Sequence, residues 1–228
     1  NDYGFWEHEN YNLIRSNSDK EFADIHKLDL TDLKSKIGEW KSKLLAEREK
    51  RKPPRLDDKI LTSWNALMLK GYVDAYRVFD DNHLLTIAIK NASFIEDKRI
   101  KKDGSLFRSY KNKESTINAY LEDYATLIDA YISLYEASLE EKWLILCKRL
   151  MDYTFEHFYD KNSNMFFFTS DVDSQLIAKK TELEDNVIPA SNSIMANNLL
   201  KLGHLFGDKN YLKISRQMVH NMVPIIES

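Results

Sequence analysis

The stretch Leu56-Asp57-Asp58-Lys59-Ile60-Leu61-Thr62-Ser63-Trp64-Asn65-Ala66-Leu67-Met68-Leu69-Lys70-Gly71-Tyr72 decides the fold class. Two adjacent carboxylates precede a helix-length run that is apolar on nearly every side. Pro53 and Pro54 close the segment before it. The pattern therefore predicts a helix start at Asp57-Asp58, where negative charge is favoured by the helix dipole. A helix apolar all round predicts burial inside a larger assembly.

The plan recurs twice. One unit runs from Trp64-Asn65-Ala66 through Ala75-Tyr76-Arg77-Val78-Phe79 to His83-Leu84-Leu85. A second runs from Asp123-Tyr124-Ala125 through Leu134-Tyr135-Glu136-Ala137 to Trp143-Leu144. A third runs from Ser193-Ile194-Met195-Ala196 through Gly203-His204-Leu205-Phe206 to Tyr211-Leu212. Setting Tyr76 on Tyr135 gives a shift of 59, and setting Phe79 on Phe206 gives 127, a period of one helical hairpin with a connector. Each unit pairs an all-round apolar helix with a one-sided one, whose stripes are Leu84, Leu85, Ala88, Ala92 and Ile95, then Trp143, Leu146, Cys147, Leu150 and Thr154. Asp80-Asp81-Asn82 and Gly207-Asp208 supply turns and the next N-caps. The expected class is all-α, an inner ring of helices wrapped by an outer ring, with hairpins at about 57–100, 119–158 and 190–226 in one domain, 1–228.

Outside the repeat, residues 1–30 are polar without clear period and read as irregular. A helix over 31–52 carries Leu33, Ile37, Trp40 and Leu44 at helical spacing, and its basic face is broken by Glu47 and Glu49, as on a solvated helix. Between the units, Lys102–Tyr110 reads as a turn and an extended piece. Met165–Thr169 and Gln175–Lys179 read as a small β-hairpin. Both connectors return to the end where inner helices begin, which becomes the ligand-facing rim.

Composition excludes several functions. A formal net charge of -3 provides no global basic field for nucleic acid. No apolar run approaches a membrane span. The single cysteine, Cys147, forms no intrachain disulfide and reads as a buried hydrophobe. No two of the six histidines have metal-ligand spacing, and six glycines leave no phosphate-cradling loop. No cofactor and no metal is implied, and a cytoplasmic location is favoured.

Asp57-Asp58, Glu122-Asp123-Tyr124 and Ser191-Asn192-Ser193 gather carboxylates, hydroxyls and amides at inner-helix starts. Helix capping accounts for one such residue per helix. The second carboxylate of each pair then has no structural task, and carboxylates whose proton affinities are pushed apart suit acid–base or glycosidic chemistry. Asp58 and Asp123 are the candidate acid–base groups, with Asp57 and Glu122 tuning them. Trp64, Tyr110 and Tyr124 would form a stacking wall, with Asn65, Arg108, Asn192 and Ser193 as polar contacts. Arg108 is equally open to a structural salt bridge with those acids.

Arg51-Lys52-Pro53-Pro54-Arg55-Leu56-Asp57-Asp58-Lys59, with Leu61-Thr62-Ser63-Trp64-Asn65, resembles a motif of the large thioredoxin-domain-containing, spermatogenesis-associated family. Arg108-Ser109-Tyr110, Leu121-Glu122-Asp123-Tyr124-Ala125, Leu134-Tyr135-Glu136-Ala137 and Asp185 with Pro189-Ala190-Ser191-Asn192-Ser193 match in the same order. The family reads Pro-Ser-Gly-Asn-Ser at that last position, where this chain departs. The resemblance implies a segment of a six-hairpin (α/α) toroid similar to N-acylglucosamine 2-epimerases and toroid glycosidases, and it adds Asp185 to the candidate site. It also implies a thioredoxin-like domain as partner, absent from this chain, which has no Cys-x-x-Cys. The activity expected is carbohydrate-active or carbohydrate-binding, with a sugar ligand. The alternatives are a non-catalytic scaffold that binds a protein partner or the thioredoxin-like domain, and an epimerase whose histidines lie outside this chain.

Overall fold

A computed structural model describes residues 2–5, 11–173 and 179–226, with backbone alone at 2–5, 11–13 and 225–226. The chain divides into two units, Asn1–Asp57 and Asp58–Ser228, rather than the single one expected. Physically, Arg51–Lys59 has no regular secondary structure, and the two prolines deprive its backbone of donors.

The first unit corrects the expectation of an irregular start. Strands β1 (Asp2–Phe5) and β2 (Tyr11–Ile14) pair antiparallel, with Asp2 opposite Ile14. Helix α1 (Asp19–His26) follows, opened by Ser18 and Glu21, each side chain accepting the other's backbone N–H. Helix α2 (Leu30–Glu49) is capped by Asp29, which accepts the N–H groups of Thr31 and Asp32. Of its apolar stripe only Leu33 is buried; Trp40 and Leu44 are exposed.

The second unit is a partial (α/α) toroid of three hairpins: α3 (Thr62–Phe79) with α4 (Asn82–Arg99), α5 (Leu121–Ser138) with α6 (Glu141–His157), and α7 (Ser191–Phe206) with α8 (Lys209–Ile226). The inner helices α3, α5 and α7 all end in the same way. Asp80, Leu139 and Gly207 adopt the left-handed conformation, with φ of 53°, 57° and 68°. Only glycine enters that region without steric cost. Asp81 and Asp208 then cap α4 and α8 by accepting backbone N–H groups of His83, and of Asn210 and Tyr211.

The core lies between the rings. The α6 stripe of Trp143, Leu146, Cys147, Leu150 and Thr154 is buried against α5, where the Cys147 thiol donates to the Ile128 carbonyl. Burial of each large apolar side chain is worth roughly 1.5–3 kcal/mol. Helix α5 is buried on nearly all sides, as an all-round apolar helix should be, because α3 and α7 flank it and α6 backs it. Helix α3 has the same composition but leaves Trp64, Met68, Val78 and Phe79 exposed.

The connectors differ in detail from expectation. Helix α3 begins at Thr62 after strand β3 (Ile60–Leu61), so Asp57 and Asp58 precede a strand and not a helix. Strand β3 pairs with β4 (Phe107–Lys111), which pairs with β5 (Glu114–Asn118), both antiparallel. In the second connector β7 (Met165–Phe166) pairs backwards with β6 (Tyr159–Asp160), because the Asp160 carboxylate accepts the N–H groups of Asn162 and Ser163 and closes the turn there. Of the expected partner strand, Gln175–Lys179, residues 175–178 lie outside the described residues and Lys179 has no regular structure, although the Phe168 N–H does reach the Lys180 carbonyl.

A candidate functional site at the mouth of the inner helices

The rim is organised by Asp123 on the first turn of α5. Its carboxylate is fully buried. Oδ1 accepts the Ser63 N–H of α3 at 2.9 Å; Oδ2 accepts the Tyr120 N–H at 3.0 Å and Arg108 Nη1 at 2.9 Å. One side chain thus ties the starts of two inner helices to strand β4. Burial pushes the Asp123 carboxyl above the ordinary carboxylate value, while Arg108 and the two backbone N–H groups pull it back.

Glu122 lies beside this clamp without joining its hydrogen bonds, since neighbouring residues on a helix point about 100° apart. Its carboxylate stands 3.9 Å from Arg108 Nη1. Both side chains are about a fifth exposed, at 17% and 20%. The Arg108 guanidinium also lies 4.7 Å over the Tyr120 ring, so it is fixed by a carboxylate and an aromatic face together. The mouth therefore presents a held cation beside a partly accessible carboxylate.

Other expected residues fall elsewhere. Asp58 is half exposed and ion-paired with Lys111, at the opposite end of β4 from Arg108, and that pairing lowers its proton affinity. Asp57 falls in the first unit. Tyr124 is a core residue: its Oη accepts the Leu106 N–H at 2.8 Å and its ring stacks on Tyr153. Tyr110 is half-buried and meets Phe94 edge-on, with Arg99 over its ring. Trp64 is exposed, and Asn65 Nδ2 donates to the Leu61 carbonyl one turn back. Asp185 accepts the Ala190 N–H and the Ser193 hydroxyl, and so holds the entry to α7. Asn192 is buried, bonded to both the N–H and the carbonyl of Phe166 and to the carbonyl of Glu182. Glu182 accepts the Ser191 N–H and hydroxyl at the same entry.

Two features escaped sequence reasoning. Asp129, in the middle of α5, accepts Lys201 of α7 at 2.9 Å and faces Lys70 of α3 at 3.8 Å, tying all three inner helices. An acid in the otherwise apolar middle of α5, between Ile128 and Ala130, was its signal. Arg99 is buried beneath the sheet and donates to the Ile60 carbonyl, while its Nε and Nη1 have no partner among the described residues. That burial lowers its pKa to about 10. Among the described residues no group of three or more His, Cys, Asp or Glu is placed to hold a metal ion, and no helix is long and apolar enough to cross a membrane.

Human spermatogenesis-associated protein 20 is 30% identical over 195 residues, covering 81% of this chain and 25% of that protein. The chain is a homologue of a segment of spermatogenesis-associated protein 20. An uncharacterised protein of Caenorhabditis elegans is 31% identical over 231 residues, covering 95% of this chain and 31% of its own length. The chain therefore spans between a quarter and a third of these relatives. No protein-family model matches it.

Solved structures place the homologue's fold among helical toroids. The GH76 alpha-mannanase of Bacteroides thetaiotaomicron superposes with a TM-score of 0.60 at 18% identity, over 75% of this chain and 45% of the enzyme. Cellobiose 2-epimerase of Bacillus thermoamylovorans superposes with 0.60 at 16%, over 73% and 45%. These likenesses establish the fold.

Proposed function

We propose that the second unit forms part of a carbohydrate-binding, and in the longer protein carbohydrate-active, toroid whose ligand meets the mouth at Arg108 and Glu122. The observation that carries this is the division of labour between adjacent carboxylates. Asp123 is fully engaged and holds Arg108, which leaves Glu122 accessible beside a fixed cation. A guanidinium and a carboxylate held side by side suit the paired donors and acceptors of sugar hydroxyls. In this reading Glu122 takes the acid–base role first given to Asp123, and Asp123 is a positioning residue. Toroids that act on mannan and cellobiose are the supporting analogy.

The test is titration of the chain with mannose, cellobiose and mannan oligosaccharides, with Glu122→Gln beside the natural chain. The expected result is binding that Glu122→Gln weakens at least about tenfold, the loss of one charged hydrogen bond, with the fold intact. Saccharide affinity that Glu122→Gln leaves unchanged would remove the mouth from the reading.

A second reading, a non-catalytic scaffold that binds a protein or the thioredoxin-like domain, is favoured by one observation. Asp123 pairs with Arg108, and Asp58 with Lys111, as structural acids do. Its distinguishing result is saturable binding of the thioredoxin-like domain with no saccharide binding at all.

A further inference from the structure

In α2 of the first unit, Leu30, Leu33, Ile37, Trp40 and Leu44 recur at alternating spacings of three and four. At 100° per residue they fall within about 80° of arc, the narrow seam of a coiled coil and not the broad face of a core helix. Only the near end of that seam is used within the unit. Leu33 is buried and Leu30 and Ile37 are half-buried, whereas Trp40 is 54% and Leu44 61% exposed. Length explains the difference. Helix α1 has 8 residues and α2 has 20, so α1 spans about 12 Å beside a helix about 30 Å long.

The residues beside the seam decide what it can meet. Lys36 and Lys43 precede the seam positions Ile37 and Leu44, and Lys34, Lys41 and Arg48 follow Leu33, Trp40 and Glu47. Every flanking position within α2 is thus a cation, all are exposed, and none is ion-paired among the described residues. Asp32, Glu39 and Glu49 lie on the far side, about 120° or more from the middle of the seam. Glu47 takes the next seam position, where it accepts Lys50 at 2.6 Å and closes the apolar run. The charge that looks broken along the sequence is therefore ordered around the helix. A second copy is a poor occupant, because parallel and antiparallel self-pairing both set cation against cation along the flanks. A bilayer is a poor one too, since Lys34 and Lys41 border a face narrower than an interfacial helix buries.

We propose that the seam of Ile37, Trp40 and Leu44 docks one amphipathic helix of a partner protein, whose own apolar seam is flanked by Asp and Glu. Trp40 is the anchor, a large aromatic side chain at the centre of the uncovered stretch. The five flanking cations select the partner by sign and speed its approach. The proposal does not rest on the saccharide reading, which concerns Glu122 and Arg108 of the second unit.

The probe is a fluorescently labelled peptide of about three heptads, with leucine along its seam and glutamate at every flanking position. Its twin carries lysine in place of glutamate. In fluorescence anisotropy the 228-residue chain is expected to bind the glutamate peptide saturably, and at least about tenfold more tightly than the lysine twin. Salt should weaken that binding by screening the flanks. The double variant Trp40→Ser, Leu44→Ser is expected to weaken it at least about tenfold with an unchanged melting midpoint, since both side chains are exposed. Reversing Lys36, Lys41 and Lys43 to Glu together is expected to turn the preference toward the lysine twin, which a merely sticky surface would not do. Equal affinity for the two peptides, or no saturable binding by about 1 mM peptide, overturns the proposal. Binding to phosphatidylserine vesicles that needs Trp40, with none to the glutamate peptide, would make a lipid surface the occupant. A dimer in sedimentation that Trp40→Ser dissociates would make it a second copy. Either result overturns the proposal.

Discussion

Asp123 of α5 accepts the backbone N–H of Ser63 in α3 across 2.9 Å, a bond between residues 60 apart in the sequence. The first turn of an α-helix has N–H groups with no partner inside the helix. Here one of them is satisfied from the next hairpin and not from a local cap; the side chain of Leu61, the residue before α3, makes no capping bond. The same carboxylate holds Arg108 and its own helix start, so the mouth is assembled around one buried charge.

Removing that charge has a definite consequence. Asp123→Ala leaves the Ser63 N–H without its acceptor and Arg108 without its counter-ion. Breaking a buried pair by deleting one partner costs about 3–5 kcal/mol. Equilibrium urea unfolding of the natural and substituted chains measures it. A loss below about 1 kcal/mol, the scale of an exposed pair, would mean that Asp123 does not organise the rim.

How much of this was legible in the sequence follows from what each residue's role depends on. The three hairpins were legible because the helical period and the turn residues are local signals, and the α6 stripe from Trp143 to Thr154 is buried as its spacing implied. The Ser18–Glu21 capping box was equally local, and only the polar composition around it hid the helix. The roles of Glu122 and Asp123 were not legible. Their adjacency is local, but which one faces α3 depends on the packing of Thr62–Phe79 against α5 across some sixty residues. Trp64 illustrates the converse: its helix reads as buried all round, yet its side chain is exposed, because no described element packs over that flank of α3. Tyr124 follows Asp123 in sequence, yet a further turn of 100° carries it into the core, where its hydroxyl meets Leu106.

Acid should weaken the connector between α4 and α5. The Asp103 carboxylate accepts the N–H and the hydroxyl of Ser105, at 2.9 and 2.8 Å, and these bonds hold its carboxyl below the ordinary value of 3.8. A group whose folded-state pKa is depressed contributes stability above its unfolded value and loses it as pH falls through the folded one. The contribution is thus complete at neutral pH and fades from about pH 4 downward, around the ordinary carboxylate value. Melting midpoints of the natural chain and Asp103→Ala, compared from pH 7 to pH 3, should differ at neutral pH and converge in acid. A difference that stays constant across that range would show that the carboxylate's charge plays no part.

The left-handed turn at the end of α5 offers a test in the opposite direction. Leu139 occupies φ 57° with its side chain 77% exposed, so it carries the steric cost of that conformation without burial to offset it. Gly207 fills the same place in the third hairpin, at φ 68°. Replacing Leu139 by glycine removes the clash of Cβ with the following carbonyl, about 1–2 kcal/mol, and adds a smaller entropic cost in the unfolded chain. Leu139→Gly is therefore expected to stabilise the chain by about 0.5–1 kcal/mol in urea unfolding. Leu139→Ala, which keeps the Cβ, should give no such gain. Equal stabilities for the two variants would show that the hairpin relaxes its backbone in solution, and that the shared left-handed ending of the inner helices is not what sets their turns.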